Sequence, residues 1–163
     1  MLQHDLPRMA LSIRQPWAWA IIHAGKNIEN RSWRSGSPDL LFRGEFAIHA
    51  AKGMTQDEYR DAVDTIFALT GLQVPPPARL HRGGIVGTGL VSDIVMDHPS
   101  AWFSGRHGLI LEDVKAVDFI PAVGHLGFFA WEPSYAAPEE TVPAWMRRWS
   151  AEAAVVAEQP SLF

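Results

Sequence analysis

The run from Gly84 to Val95 is β-rich throughout, yet Gly87 and Gly89 interrupt it. Glycine in a strand interior leaves no side chain to pack and marks a bulge, a tight bend or a close backbone approach, so a long strand with two of them must curve. Short runs at Gly108–Leu111, Val114–Phe119 and Leu126–Trp131 follow, separated by Glu112-Asp113, by Pro121 and by Gly124, a spacing that suits a small barrel. Upstream, Asn27 to Trp33 alternates, with Ile28, Asn30 and Ser32 on one side and Glu29, Arg31 and Trp33 on the other. Phe46 and Ile48 alternate with Glu45 and His49 over Glu45–Ala51, which predicts another strand. The expected class is α+β, a small curved β-barrel of about five to six strands with flanking helices.

Three helices are legible. Pro16 suits a first helical turn, Trp17, Ala18, Ala20, Ile21 and Ile22 continue it, and Gly25 ends it. Thr55-Gln-Asp-Glu58 is a capping box, and the helix it opens places Tyr59, Val63, Ile66, Phe67 and Leu69 on one face before Thr70-Gly71 stops it. Pro143 opens the third, with Val142, Trp145, Met146, Trp149, Ala153 and Val156 along one face that is expected to dock on the barrel. With 163 residues, 47% of them hydrophobic, the chain fits a single core: a barrel domain over 8–133, an extension with its helix over 134–158, and a tail over 159–163. No apolar run approaches the roughly 18 residues of a membrane span, and no basic segment precedes an apolar signal core, which predicts a cytoplasmic protein without membrane contact. The chain has no cysteine, and its seven histidines lack ligand spacing, so neither a metal site nor a cofactor is expected.

The net charge of −4 argues against a protein that coats nucleic acid through bulk positive charge. Its distribution is uneven. Residues 10–52 hold Arg14, Lys26, Arg31, Arg34, Arg43 and Lys52 against Glu29, Asp39 and Glu45, a net of +3, while the rest carries −7. Such a segment suits a small anionic footprint, a few phosphates or one nucleotide. Lys26, Glu29, Arg31 and Trp33 gather at the first helix-to-strand junction, either as a surface ion-pair trio or as a cluster whose Arg31 fork grips phosphate or a base edge. Arg14 and Gln15 precede the helix and can receive an anion with its free N–H groups; Pro16 removes one donor. Trp17, Trp33 and the loop residue Trp102 are candidate base platforms, each with packing as the alternative. His49 is a candidate general acid or base, or a satisfied strand histidine. The Gly83-Gly84 and Gly87-Thr-Gly89 pairs have neither the spacing nor the following helix of a phosphate-cradling loop.

The segments Leu11-Ser-Ile-Arg-Gln-Pro-Trp17 and Lys26-x-x-Glu29-x-Arg31 resemble the signature of the ASCH domain, a member of the PUA-like superfamily. Further matches are Arg43-Gly44 before Ile48-His49-Ala50-Ala51, Ser100-Ala-Trp102-Phe103 before Gly108-Leu-Ile-Leu111, and Gly124-His-Leu126-Gly-Phe-Phe129. Together they span roughly 8–131; Gly25 directly precedes Lys26 here, where the family has Gly-x-Lys. The resemblance implies a PUA-like barrel that binds RNA, single-stranded or modified DNA, or a nucleoside, accepting an unstacked or modified base at its mouth. Lys26, Arg31 and Arg43 would hold phosphates, with Arg14, Gln15, Trp17, Glu29, Trp33, His49 and Trp102 nearby. As an alternative it implies a small amidohydrolase of N4-acylated cytidine or a ribonuclease that uses Lys26 and Glu29 beside Arg31. The amidohydrolases pair lysine with a threonine three residues on, where this chain has Glu29. Finally, Gln159-Pro-Ser-Leu162-Phe163 is similar to the short peptides with which bacterial replication and repair proteins bind the sliding clamp.

Overall fold

In the computed structural model, which describes residues 5–135 and 142–149, the glycine-interrupted run forms one strand, β4 (Gly84–Val95), paired antiparallel with β3 (Gly44–Ala50) and β5 (His107–Pro121). The β4–β5 register shifts at three places, between Ile85 and Gly87, Thr88 and Leu90, and Val91 and Asp93. A Cβ on Gly84 would lie 2.3 Å from the Ile120 carbonyl oxygen, and one on Gly87 would lie 2.6 Å from that of Lys115. These glycines therefore allow an approach of backbones that no other residue permits, and the bulges bend the pair.

Glu112-Asp113 does not end a strand, contrary to expectation, and β5 runs unbroken for 15 residues. Asp113 takes a positive φ of 51°, the left-handed conformation that aspartate tolerates better than most residues, and it sits at the Thr88/Leu90 irregularity. A polar pair that reads as a turn is here a bulge within a continuous ladder.

The six-stranded sheet also contains β1 (Met9–Ile13), β2 (Ile28–Arg31) and β6 (Phe128–Ala130), in the order β2-β5-β4-β3-β1-β6. The β1–β3 pair is parallel, and the others are antiparallel. β1 has no counterpart among the expected strands. Ala10, Leu11 and Ile13 are all buried, so the segment lacks in-out alternation, and its partner residues Ala47 to Ala50 lie far along the chain. β3 likewise is buried on both sides: Phe46, Ile48 and Ala50 enter one core with Leu11, Ile13, Val91, Leu109 and Leu111, while Ala47 enters another with Ala10, Ile85 and Phe129.

The sheet is a curved half-barrel rather than a closed barrel, because β2 and β6 end the strand order. Side chains span the gap: Arg31 Nη2 donates to the Ser12 carbonyl at 2.6 Å, and Trp33 meets Phe128 at a ring separation of 5.8 Å. Phe128 in turn stacks on Phe42 at 3.8 Å.

α1 (Trp17–His23) begins directly after Pro16 and buries Ala18, Ala20 and Ile21. α2 (Gln56–Thr70) has the expected capping box between Thr55 and Glu58 and ends on Gly71 at φ 72°. Its packed face is Tyr59, Ala62 and Ile66 with Val63 beside them; Phe67 and Leu69, expected on that face, flank it and are 53% and 41% exposed. Residues 144–149 form a short helix, α3, whose Met146 is fully buried and whose Trp145 and Trp149 meet Tyr59 at 6.0 and 4.7 Å. The described part of α3 thus packs on α2. Ala153 and Val156 lie outside the described residues. Among the described residues no helix is long and apolar enough to cross a membrane.

Candidate functional site

A cleft of about 1220 Å³ opens where β1, β3 and β5 end and β4 begins. Arg14 enters it just past β1, Lys52 past β3 and Arg82 just before β4, while Arg31 reaches it from the end of β2 and Trp33 from just past it. Among the described residues Asp39 is the carboxylate in its lining, so cations outnumber anions there. Phe119, His125 and Leu126 complete the apolar and aromatic part of the wall.

Two strand positions build the floor. Ser12 of β1 and His49 of β3 are partners in the parallel register, so their side chains leave the same face of the sheet. His49 Nδ1 lies 2.9 Å from Ser12 Oγ, and Nε2 lies 2.7 Å from the Ala122 carbonyl oxygen. A carbonyl only accepts, so Nε2 carries the proton; in the neutral ring Nδ1 accepts, and the Ser12 hydroxyl donates. Burial pushes the His49 pKa down, against the Ala122 hydrogen bond, which raises it, and with a smaller downward contribution from His125. The ring is therefore neutral at physiological pH, and the sequence candidate for acid-base chemistry sits locked between two partners.

Arg14 forms a bidentate pair with Glu58, Nε to Oε2 at 2.5 Å and Nη2 to Oε1 at 2.6 Å, at the exposed rim. The hydrogen bond with Glu58 raises the Arg14 pKa, and the one with Arg14 lowers that of Glu58. Arg82 donates to the Lys52 carbonyl and lies 3.6 Å from Met146 Sδ, which ties the cleft to α3.

Lys26 and Glu29, the expected catalytic pair, stand behind the wall. Lys26 is 4% exposed; its Nζ donates to the Ile28 carbonyl, lies 3.7 Å from Glu29 Oε2 and sits 5.7 Å from the Trp17 ring centre. At 3.7 Å the Glu29 contact is an ion pair and not a hydrogen bond. Burial lowers the Lys26 pKa, and Glu29 opposes that shift. Glu29 Oε1 lies 3.8 Å from Arg31 Nε. A polar chain thus runs Lys26, Glu29, Arg31, Ser12, His49, and it reaches the cleft only from Arg31 onward.

Of the residues expected from sequence, the cleft gathers Arg14, Arg31, Trp33 and His49. Gln15 is buried, donating to the His81 carbonyl and accepting from the Trp19 amide, both at 2.9 Å; it lines a separate depression of about 410 Å³. Trp17 packs between two cores, and Trp102 is half-buried against the α2 cluster, its carbonyl accepting from Asn30 at 2.8 Å. Arg43 is exposed and holds Asp93 at 3.2 Å and the Phe42 carbonyl at 2.8 Å, away from the cleft. Gln159, Leu162 and Phe163 lie outside the described residues. Sequence reasoning missed Ser12, Arg82 and Phe119 as site residues. Ser12 lies in a segment without in-out alternation and Arg82 in a loop rich in proline and glycine, so neither has a pattern to distinguish it. No known protein family matches the chain, and no curated protein does.

Proposed function

We propose that the chain is an ASCH-type, PUA-like module that binds nucleic acid, RNA or DNA, taking one unstacked or modified base into the cleft beside Trp33. Arg14, Arg31, Lys52 and Arg82 face the phosphates on this reading. The observation that carries it is the convergence of those four cations, from four separate strand ends, on a cleft that also holds an indole and is larger than one nucleotide needs. Base stacking on an aromatic ring contributes about 1–3 kcal/mol per base, and the phosphate contacts make affinity salt-dependent. Two cations expected in this role are replaced: Lys26 is buried and Arg43 points elsewhere, whereas Lys52 and Arg82 face the cleft. The test is fluorescence anisotropy of short RNA and DNA strands over a range of salt. Arg14→Gln and Lys52→Gln should each weaken binding and reduce the slope of log affinity against log salt by about 0.7. Arg43→Gln should match the parent. Equal binding by all four proteins would sink the proposal.

A second reading, hydrolysis of an N4-acylated cytidine, rests on one observation: Glu29 Oε2 is buried without a hydrogen-bond partner among the described residues, between Lys26 and Arg31. Held by the Lys26 ion pair but without a hydrogen bond among the described residues, that carboxylate oxygen is available to orient a water. Mass-spectrometric turnover of N4-acetylcytidine by the parent and by Glu29→Gln decides it; activity that survives the substitution removes Glu29 as the base.

A further inference from the structure

The loop between β5 and β6 carries two exposed apolar side chains over the cleft, Val123 at 63% and Leu126 at 98% exposure. An isolated exposed leucine needs no explanation, but this one is held in place. At one end of the loop, Gly124 lies so close to the floor that a Cβ there would come within 2.8 Å of His49 Cε1 and 3.2 Å of Ser12 Oγ. At the other end, Gly127 has φ 64°, a Cβ on it would meet the Asp39 carboxylate at 2.5 Å, and the next amide, that of Phe128, donates to Asp39 Oδ1 at 3.0 Å. Both ends are therefore docked on the cleft lining, and Leu126 projects between them.

Resting on the reading that the cleft accepts a base, we infer that Leu126, with Val123 beside it, is a wedge that enters the base stack of a duplex, so that the partner is helical nucleic acid with one extruded nucleotide. Extrusion leaves a gap between two apolar base faces, and an apolar side chain fills it at the place the nucleotide vacates. A single strand offers no such gap, and the tip would then stay in water. The cations beside Leu126 in the same cleft lining are placed to hold the flanking phosphates of a bent duplex. The shared chemistry is that of a stacked, base-paired helix, and DNA and RNA are separated by the test.

The full-length chain is titrated into short DNA and RNA duplexes, each with 2-aminopurine opposite a mismatch, and into the matching single strands. The parent should raise 2-aminopurine fluorescence in a duplex of one sugar type. Leu126→Ala should lose that rise and should lose duplex affinity about tenfold more than it loses single-strand affinity. Leu126→Met, which keeps an apolar tip, should retain both. Single-strand binding without any duplex opening, or a Leu126→Ala protein that opens duplexes like the parent, overturns the wedge and leaves the base-binding reading intact. Absence of binding to every strand and duplex overturns both. A change of oligomeric state in Leu126→Ala, with nucleic-acid binding unaltered, assigns the tip to a protein contact and overturns the wedge.

Discussion

His49 shows how one side chain ties the sheet to the cleft and makes the fold sensitive to acid. Its neutral ring accepts from Ser12 and donates to the Ala122 carbonyl, and burial holds its pKa below the unfolded value of about 6.5. The unfolded chain therefore binds the proton more readily. The stability contributed by the neutral ring is complete above about pH 6.5, declines as pH falls below that value, and stops declining below the folded pKa. Urea midpoints measured across this range should fall with acid in the parent and fall less in His49→Gln. Glu58, whose pKa is lowered by Arg14, acts in a more acid window, losing its contribution as pH drops through its folded pKa. Lys26 is a second buried group whose removal exposes its partner. Lys26→Met should cost about 3 kcal/mol in chemical denaturation, because it leaves the buried Glu29 carboxylate without its Lys26 ion pair, and Lys26→Met with Glu29→Gln should cost less than the two single changes added.

At the scale of elements, the β4–β5 pair contains two positions with different physical demands, Asp113 and Gly84. Asp113 needs a positive φ, so Asp113→Gly should be neutral or stabilising by about 0.5 kcal/mol, while Asp113→Val should destabilise by about 1–2 kcal/mol. The ion pair Asp113 makes with Lys115 at 3.6 Å is exposed and counts for little in that balance. Gly84 needs absence of a side chain instead, and its neighbour is backbone, which cannot rotate away. Gly84→Ala should therefore destabilise by about 3 kcal/mol, with thermal unfolding as the measurement for all three proteins. Both sites were visible as polar or glycine punctuation in the sequence. Only one of them, Gly84, stands at a strand boundary; Asp113 sits inside a ladder because the left-handed bulge lets the chain continue without a turn.

For the whole molecule, the open sheet is held curved by side chains that join its two ends. The β4–β5 and β3–β4 pairs are long and central, whereas β2 and β6 each have one strand neighbour. Amide exchange should accordingly be slowest in β3, β4 and β5 and fastest in the edge strands. Trp33→Ala removes the indole that meets Phe128, so it should speed exchange in β6 and cost about 2 kcal/mol while leaving the central strands protected relative to global unfolding. The same substitution removes the cleft's indole, so a loss of nucleic-acid affinity should be compared with that of Arg14→Gln, which leaves the sheet closure untouched.

What the sequence by itself determined lies within a few residues of chain: the capping box at Thr55 and Glu58, the left-handed stop at Gly71, the curvature of Gly84–Val95, and the cation-rich segment around Arg14 and Arg31. These depend on local φ/ψ, on side chains that reach their own backbone, and on periodicity. Tertiary structure alone decided that Met9–Ile13 is a strand, since its ladder partners are β3 and β6 and its two faces enter separate cores, Leu11 and Ile13 one and Ala10 the other. It also decided which charges share a surface. Lys26 and Arg31 are near neighbours in sequence, yet one is sealed behind Glu29 and the other lines the cleft. Ser12, His49 and Ala122, which form the floor, meet across separations of 37 and 73 residues. Pairings of that range leave no periodic trace, because they are set by strand order and register and not by the residues that flank each partner.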